Sequence, residues 1–247
     1  MKKIILLLST AAMFTTAMAQ EEASSEETSS SAFKQSAGDK SLEFQFNSPF
    51  VAGAPFTVNG IRFRSFSSET FAIRVNAELG SHSTTAIAVQ NVSTTTTIDN
   101  REFKTKNSNF QLMLAPGFET HFDGTDKLSP YVGAELPINF VSTSTKTEKW
   151  DATEEDLYTE TAKGGNVLGQ TGGLSVGINA VAGFDFYFTK QLYIGAEMSY
   201  GFAIKSNATT KFESDQKGSK DIDDVKQGSN FNLGTAAQAA FRLGFLF

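Results

Sequence analysis

The chain has 247 residues, a formal charge of −6, two histidines and no cysteine. Without cysteine there is no disulfide framework, no lipoprotein anchor and no thiolate zinc site. The acidic balance argues against nucleic-acid binding, and the length suits one all-β barrel in a single domain.

Met1-Lys2-Lys3, the apolar run 4–14 and Ala17-Met18-Ala19 read as a secretory signal peptide over 1–19, cleaved before Gln20. Residues 20–40 are rich in Glu and Ser and poor in large apolar side chains, which predicts a disordered leader. From residue 41 to 247 the chain reads as strands. Leu42, Phe44 and Phe46 alternate with Glu43 and Gln45, and a loop with Pro49, Gly53 and Pro55 follows. Ile61 and Phe63 then alternate with Arg62 and Arg64, turning at Ser67-Ser68-Glu69. The third strand sets Phe71, Ile73, Val75, Ala77 and Leu79 against Arg74, Asn76 and Glu78, before a Thr-, Ser- and Asn-rich stretch expected to be a loop.

The fourth strand carries Phe110, Leu112, Leu114 and Phe118 opposite Gln111, Met113, Gly117 and Glu119. It ends at the tight-turn sequence Asp123-Gly124-Thr125-Asp126. The fifth places Val132, Ala134, Leu136, Ile138 and Phe140 opposite Tyr131, Gly133, Glu135 and Asn139. The longest alternation, residues 172–205, is a hairpin. Leu174, Val176, Ile178 through Phe188 and Leu192, Ile194 through Ile204 form its greasy face, with Asp185 and Glu197 on the other. The last strand runs from Phe231 to Phe247 and turns Arg242 to the polar side.

That makes eight strands, each arm of the long hairpin exceeding the roughly 9–11 residues a transmembrane strand needs. Connections alternate between long (48–59, 80–108, 141–171, 206–230) and short (67–69, 123–127, 189–190), the asymmetry of transmembrane barrels. No later segment is a transmembrane helix, and backbone in lipid must be paired internally, so the chain should close into an antiparallel up-and-down barrel. The polar faces are mostly Gly, Ser, Asn and Ala, which suit a cramped lumen better than the exterior of a soluble barrel. An even strand number leaves both termini in the periplasm.

The candidate site is that lumen. Glu43, Arg62, Arg64, Arg74, Glu78, Glu119, Glu135, Asp185, Glu197 and Arg242 all fall on polar faces, most of them two to seven residues from the short-turn end. They should meet at similar depth and pair, since unpaired buried charge is costly; Glu197 and Arg242 are expected as neighbours across the last two strands. His82, in Gly80-Ser81-His82-Ser83 with Glu78 nearby, is the alternative: a Ser, His and Glu could form a hydrolytic triad. His121 is expected at the girdle or turn. The acidic runs Glu154-Glu155-Asp156 and Asp221, Asp223, Asp224 lack the EF-hand pattern and read as solvated loop charge. Trp150 is expected to pack its loop or touch a partner.

Gly60-Ile61-Arg62-Phe63-Arg64, the run 71–74, Pro116-Gly117-Phe118-Glu119-Thr120-His121, the run 128–135 and Gly183-Phe184-Asp185-Phe186-Tyr187 through Lys190 resemble small outer-membrane β-barrel proteins of the porin family. These are similar in build to the eight-stranded OmpA and OmpX type. The resemblance covers 41–247 and implies no catalytic residues and no cofactor. Phe247 resembles the terminal aromatic by which the barrel assembly machinery recognises its clients. The expected role is a structural or loop-presenting surface protein in contact with outer-membrane lipid, its lumen closed by charged side chains and its long loops free to meet an extracellular ligand. The alternatives are a narrow pore for small solutes and a hydrolase using His82.

Overall fold

A computed structural model describes residues 33–46, 58–94, 97–219, 222–234 and 240–247. The expected signal peptide, most of the leader, most of the first long loop and the side chains of Asp221, Asp223 and Asp224 lie outside the described residues.

The strands are β1 (Lys40–Phe46), β2 (Val58–Phe66), β3 (Phe71–Ser93), β4 (Ile98–His121), β5 (Leu128–Glu135), β6 (Ile138–Asp151), β7 (Asp156–Lys163), β8 (Asn166–Val167), β9 (Gln170–Thr171), β10 (Gly173–Tyr187), β11 (Leu192–Asn207), β12 (Thr210–Ser214), β13 (Ile222–Val225), β14 (Ser229–Gly234) and β15 (Ala240–Leu246). β1, β2, β3 and β4 pair in chain order, β5 and β6 lie end to end between β4 and β10, and β10 pairs with β11. β14 and β15 both lie on β11, and β15 returns to β1 through Ser41–Leu246 to Phe46–Phe241. The ring is closed and eight strand positions wide. Closure through the β15–β1 pairing is what a span through lipid requires.

The break between β5 and β6 falls at Leu136-Pro137. Proline cannot donate to a ladder, and the sheet holds across the gap because Leu136 N–H donates to Pro116 O at 2.8 Å and Gly177 N–H to Pro137 O at 2.9 Å.

Alternate residues point out and in, as the period of two dictates. Phe44, Phe63, Ile73, Leu114, Phe118, Val132, Phe140, Ile178, Phe184 and Phe202 are exposed on the outside, while Glu43, Arg62, Arg64, Arg74, Glu119, Asp185 and Arg242 are buried inside. This apolar exterior over a charged interior inverts a soluble barrel.

The long connections differ from the expected loops. Residues 80–93 and 98–109 extend β3 and β4 as one uninterrupted hairpin, from Leu79–Leu112 to Ser93–Ile98. Residues 142–151 and 156–163 form a second hairpin on its flank, and β12 and β13 continue the sheet. These stretches carry Thr84, Thr85, Ile87, Val89, Val92, Thr105, Thr143, Thr145 and Thr147, β-branched residues that suit a pleated sheet.

At the opposite end, residues ahead of Lys40 are bonded to the barrel. Gly38 N–H donates to Phe66 O at 2.8 Å, and Lys40 and Phe247 exchange backbone hydrogen bonds at 2.8 Å each. Buried Gln35 donates to Ser129 Oγ at 3.1 Å and to Glu69 O at 2.8 Å, and accepts from Tyr187 Oη at 3.0 Å. Phe33 packs on a small core of Phe66, Ala72, Tyr187, Tyr193 and Leu246. Residues 33–39 thus pack against the short-turn end of the barrel.

Candidate functional site: a charged cluster across the lumen

Glycines make room for the cluster. A Cβ on Gly195 would stand 2.4 Å from Arg242 Nη2 and 2.6 Å from Asp185 Oδ1, and one on Gly244 would stand 2.0 Å from the Tyr193 ring. The small residues on the inward faces are the space into which large charged neighbours fold.

Glu197 is the hub. It accepts from Arg62 Nη1 and Nη2 at 2.9 and 2.7 Å, from Arg74 Nη1 and Nη2 at 2.7 and 2.8 Å, and from Tyr131 Oη at 2.5 Å. Bidentate guanidinium–carboxylate contacts of this kind are strong and directional. Arg74 also reaches Glu119 Oε2 at 3.2 Å and Glu135 Oε2 at 2.8 Å. Arg64 Nη1 lies 2.7 Å from both Glu119 Oε1 and Asp185 Oδ2, and Nη2 pairs with Glu43 and donates to Tyr193 Oη at 2.7 Å. Arg242 joins Glu43 at 3.1 Å and Asp185 at 2.9 Å. Four guanidiniums and five carboxylates are so linked across the ring, from β3 on one side to β11 on the other.

Two of the expected members are placed differently. Glu78 is half-buried and, among the described residues, makes no ion pair; it stands opposite Met113. Arg242 stands opposite Gly195, and Glu197 opposite Ala240, two residues away. Their partners therefore come from other strands: Glu43 and Asp185 for Arg242, Arg62 and Arg74 for Glu197.

His121 belongs to the cluster instead of the girdle. It is buried, with Nε2 3.1 Å from Glu119 Oε1 and Nδ1 2.8 Å from Ser129 Oγ, and its ring packs against Phe66 and Tyr131. Its parity with Glu119, two residues before it, was the available signal. Tyr131, Tyr193, Asn76 and Ser41 are further inward groups: Arg62 Nε donates to Asn76 Oδ1, and Asn76 Nδ2 donates to Glu135 Oε2 at 2.9 Å.

The triad around His82 does not assemble. His82 is exposed opposite Asn109, whereas Ser81 and Ser83 point to the other face of β3, where their hydroxyls meet Asn109 O and Ser108 Oγ. Glu78 lies four residues down the strand, roughly 13 Å away at the rise of an extended chain. In the second hairpin, Glu154 takes Lys217 Nζ at 3.1 Å, and Trp150 lies under Arg101 with 4.2 Å from guanidinium to ring centre. Phe247 is exposed on the outer face and stacks on Phe245.

A family model described as "Putative OmpA-OmpF-like porin family" matches residues 58–247. No curated protein matches the sequence. Among solved structures, the chain is similar to Ail, the attachment invasion locus protein of Yersinia pestis, at 11% identity and a TM-score of 0.31, over 85% of this chain and 99% of that one.

Proposed function

Because the chain belongs to the OmpA-OmpF-like porin family, we propose that this outer-membrane β-barrel is a closed, non-enzymatic scaffold that presents its long hairpins at the cell surface. The charged cluster carries the reading. An eight-stranded barrel encloses an interior that side chains can fill, and here Arg62, Arg64, Arg74 and Arg242 are all at most 2% exposed. A solute path would have to pass ion pairs that hold each guanidinium on two or more partners. The narrow-pore alternative needs those pairs to open; the hydrolase alternative needs a base that His82 does not supply.

In this reading, residues 1–19 direct export, both termini lie in the periplasm, and Phe247 is presented to the barrel assembly machinery. The β3–β4 and β6–β7 hairpins rise on the other side, rigid enough to hold an extracellular ligand-binding surface. Since the chain has no cysteine, single introduced cysteines report topology cleanly. On intact cells a membrane-impermeant maleimide should label a cysteine at Thr153, and should label one at Ser68 or Asp126 only after permeabilisation. The reverse pattern would overturn the presentation of the hairpins.

A further inference from the structure

Residues 33–39 cross the short-turn end of the barrel from one wall to the other. On one side the segment belongs to the sheet. Gly38 N–H donates to Phe66 O at 2.8 Å, Phe66 N–H donates to Asp39 O at 2.9 Å, and Lys40 pairs with Phe247. On the other side Gln35 meets Ser129 on β5 and Tyr187 at the end of β10. The ring runs β1, β2, β3, β4, β5, β10, β11, β15, so β5 and β10 stand opposite β1 and β2. The segment therefore follows a diameter of the mouth instead of its rim.

Its side chains complete a floor. Phe33 packs on the inward Phe66, Ala72, Tyr187, Tyr193 and Leu246, and Lys127 Nζ lies 4.6 Å from its ring centre. Gln35 is buried, its amide nitrogen bonded to Glu69 O and Ser129 Oγ and its oxygen to Tyr187 Oη. The floor shares groups with the charged cluster: Tyr193 Oη donates to Glu43 Oε1 at 2.8 Å, and Ser129 Oγ lies 2.8 Å from His121 Nδ1. The lumen is thus blocked twice, by ion pairs across its middle and by this segment at its end.

The two barriers are held differently. The cluster projects from paired strands, whereas among the described residues the backbone of 34–37 bonds to no strand. Side chains hold that part down. Gly38 divides it from the paired part at a φ of 92°, a left-handed conformation that glycine adopts without cost, and no atom stands within 4 Å of a Cβ there. Asp39 N–H donates to Ser36 O at 3.1 Å and Ser36 N–H to Asp39 Oδ2 at 2.8 Å, closing a tight turn around this glycine. A short segment held by a few side-chain contacts, with a glycine turn in open space at its root, is built to open locally as a unit.

We propose that residues 33–37 are a gate at the short-turn end of the lumen, swinging about Gly38 and standing in series with the charged cluster. The gate rests on the charge-closed lumen argued above. In the topology proposed there it faces the periplasm, so it sets access to the lumen from that side while the ion pairs block passage.

The test is planar-bilayer recording of the full chain, with folding verified by unboiled gel mobility. In the Arg62→Ala/Arg74→Ala/Glu197→Ala background the ion pairs are gone and the gate is the remaining barrier, so current should come as steps that open and close. Adding Phe33→Ala/Gln35→Ala should raise the ratio of open to closed time on the order of a hundredfold, from roughly a factor of three for each of three hydrogen bonds and a ring contact. Adding Gly38→Ala instead should raise it about tenfold, because the closed gate needs a backbone conformation that is costly for alanine. A Gln35→Cys/Ser129→Cys pair on the same background should conduct until dibromobimane bridges the two thiols, with its fluorescence reporting the double reaction, and then fall silent. Steps that survive the bridge, open times that the alanine changes leave as they were, or no current with both barriers removed would overturn the gate and leave the charge pairs standing. Current from Phe33→Ala/Gln35→Ala in an otherwise wild-type barrel would support the gate and defeat closure by charge.

Discussion

Arg74 bonds to Glu119, Glu135 and Glu197 at once and is fully buried. Removing it takes an ion pair from each of the three and leaves Glu135 with none among the described residues, so Arg74→Met should cost about 3–5 kcal/mol in urea unfolding from detergent. Adding Glu197→Gln to that variant should cost less than the two single changes summed, because each single change leaves its partner's charge behind. Additive costs would show that the pair is not coupled. Gly244 makes a second residue-scale case. Gly244→Ala places a methyl group 2.0 Å from the Tyr193 ring and should cost about 1–3 kcal/mol as overpacking. Gly80→Ala, with nothing within 4 Å of its Cβ, should be near neutral in the same measurement. Which charges face inward was legible from parity alone. Which charge meets which was not, because Arg74 on β3 reaches Glu197 on β11 across the lumen, and sequence spacing says nothing about distances through a ring.

At the scale of elements, alternation marks a strand only where one face is in lipid. Residues 172–205 were legible for that reason. Residues 80–93 were not, because both faces are exposed there and apolar and polar residues no longer alternate, while the backbone stays paired. The second hairpin is tied down by its turn. Asp151 accepts from Gln216 Nε2 at 2.8 Å and from the backbone N–H groups of Thr153 and Glu154 at 2.8 and 3.3 Å. These bonds, with that of Gln216 first, hold its carboxyl below the ordinary aspartate value. A depressed carboxyl pKa stabilises the folded form above the unfolded value, and that help is lost as pH falls through the folded one. At neutral pH the tether is therefore intact, and Asp151→Ala removes it. External trypsin on intact cells should cut at Lys217, beside Gln216, faster in Asp151→Ala than in the wild type. Lys106 and Lys146, in paired strands, should be spared in both. Equal cutting at Lys217 would show that Asp151 does not restrain this segment.

At the scale of the whole molecule, closure between β15 and β1 follows from one constraint, that no backbone group may face lipid unpaired. That constraint was readable in the sequence. The packing of Gln35 and Phe33 against the short-turn end was not, because it depends on single contacts in a segment whose composition is that of a leader. The central claim concerns the lumen: paired charges close it. Planar-bilayer recording tests this most directly, with the wild type beside an Arg62→Ala/Arg74→Ala/Glu197→Ala variant whose folding is confirmed by gel mobility. The account predicts no steady current from the wild type and discrete conductance steps from the variant; a steady wild-type conductance that the three truncations leave unchanged would contradict it.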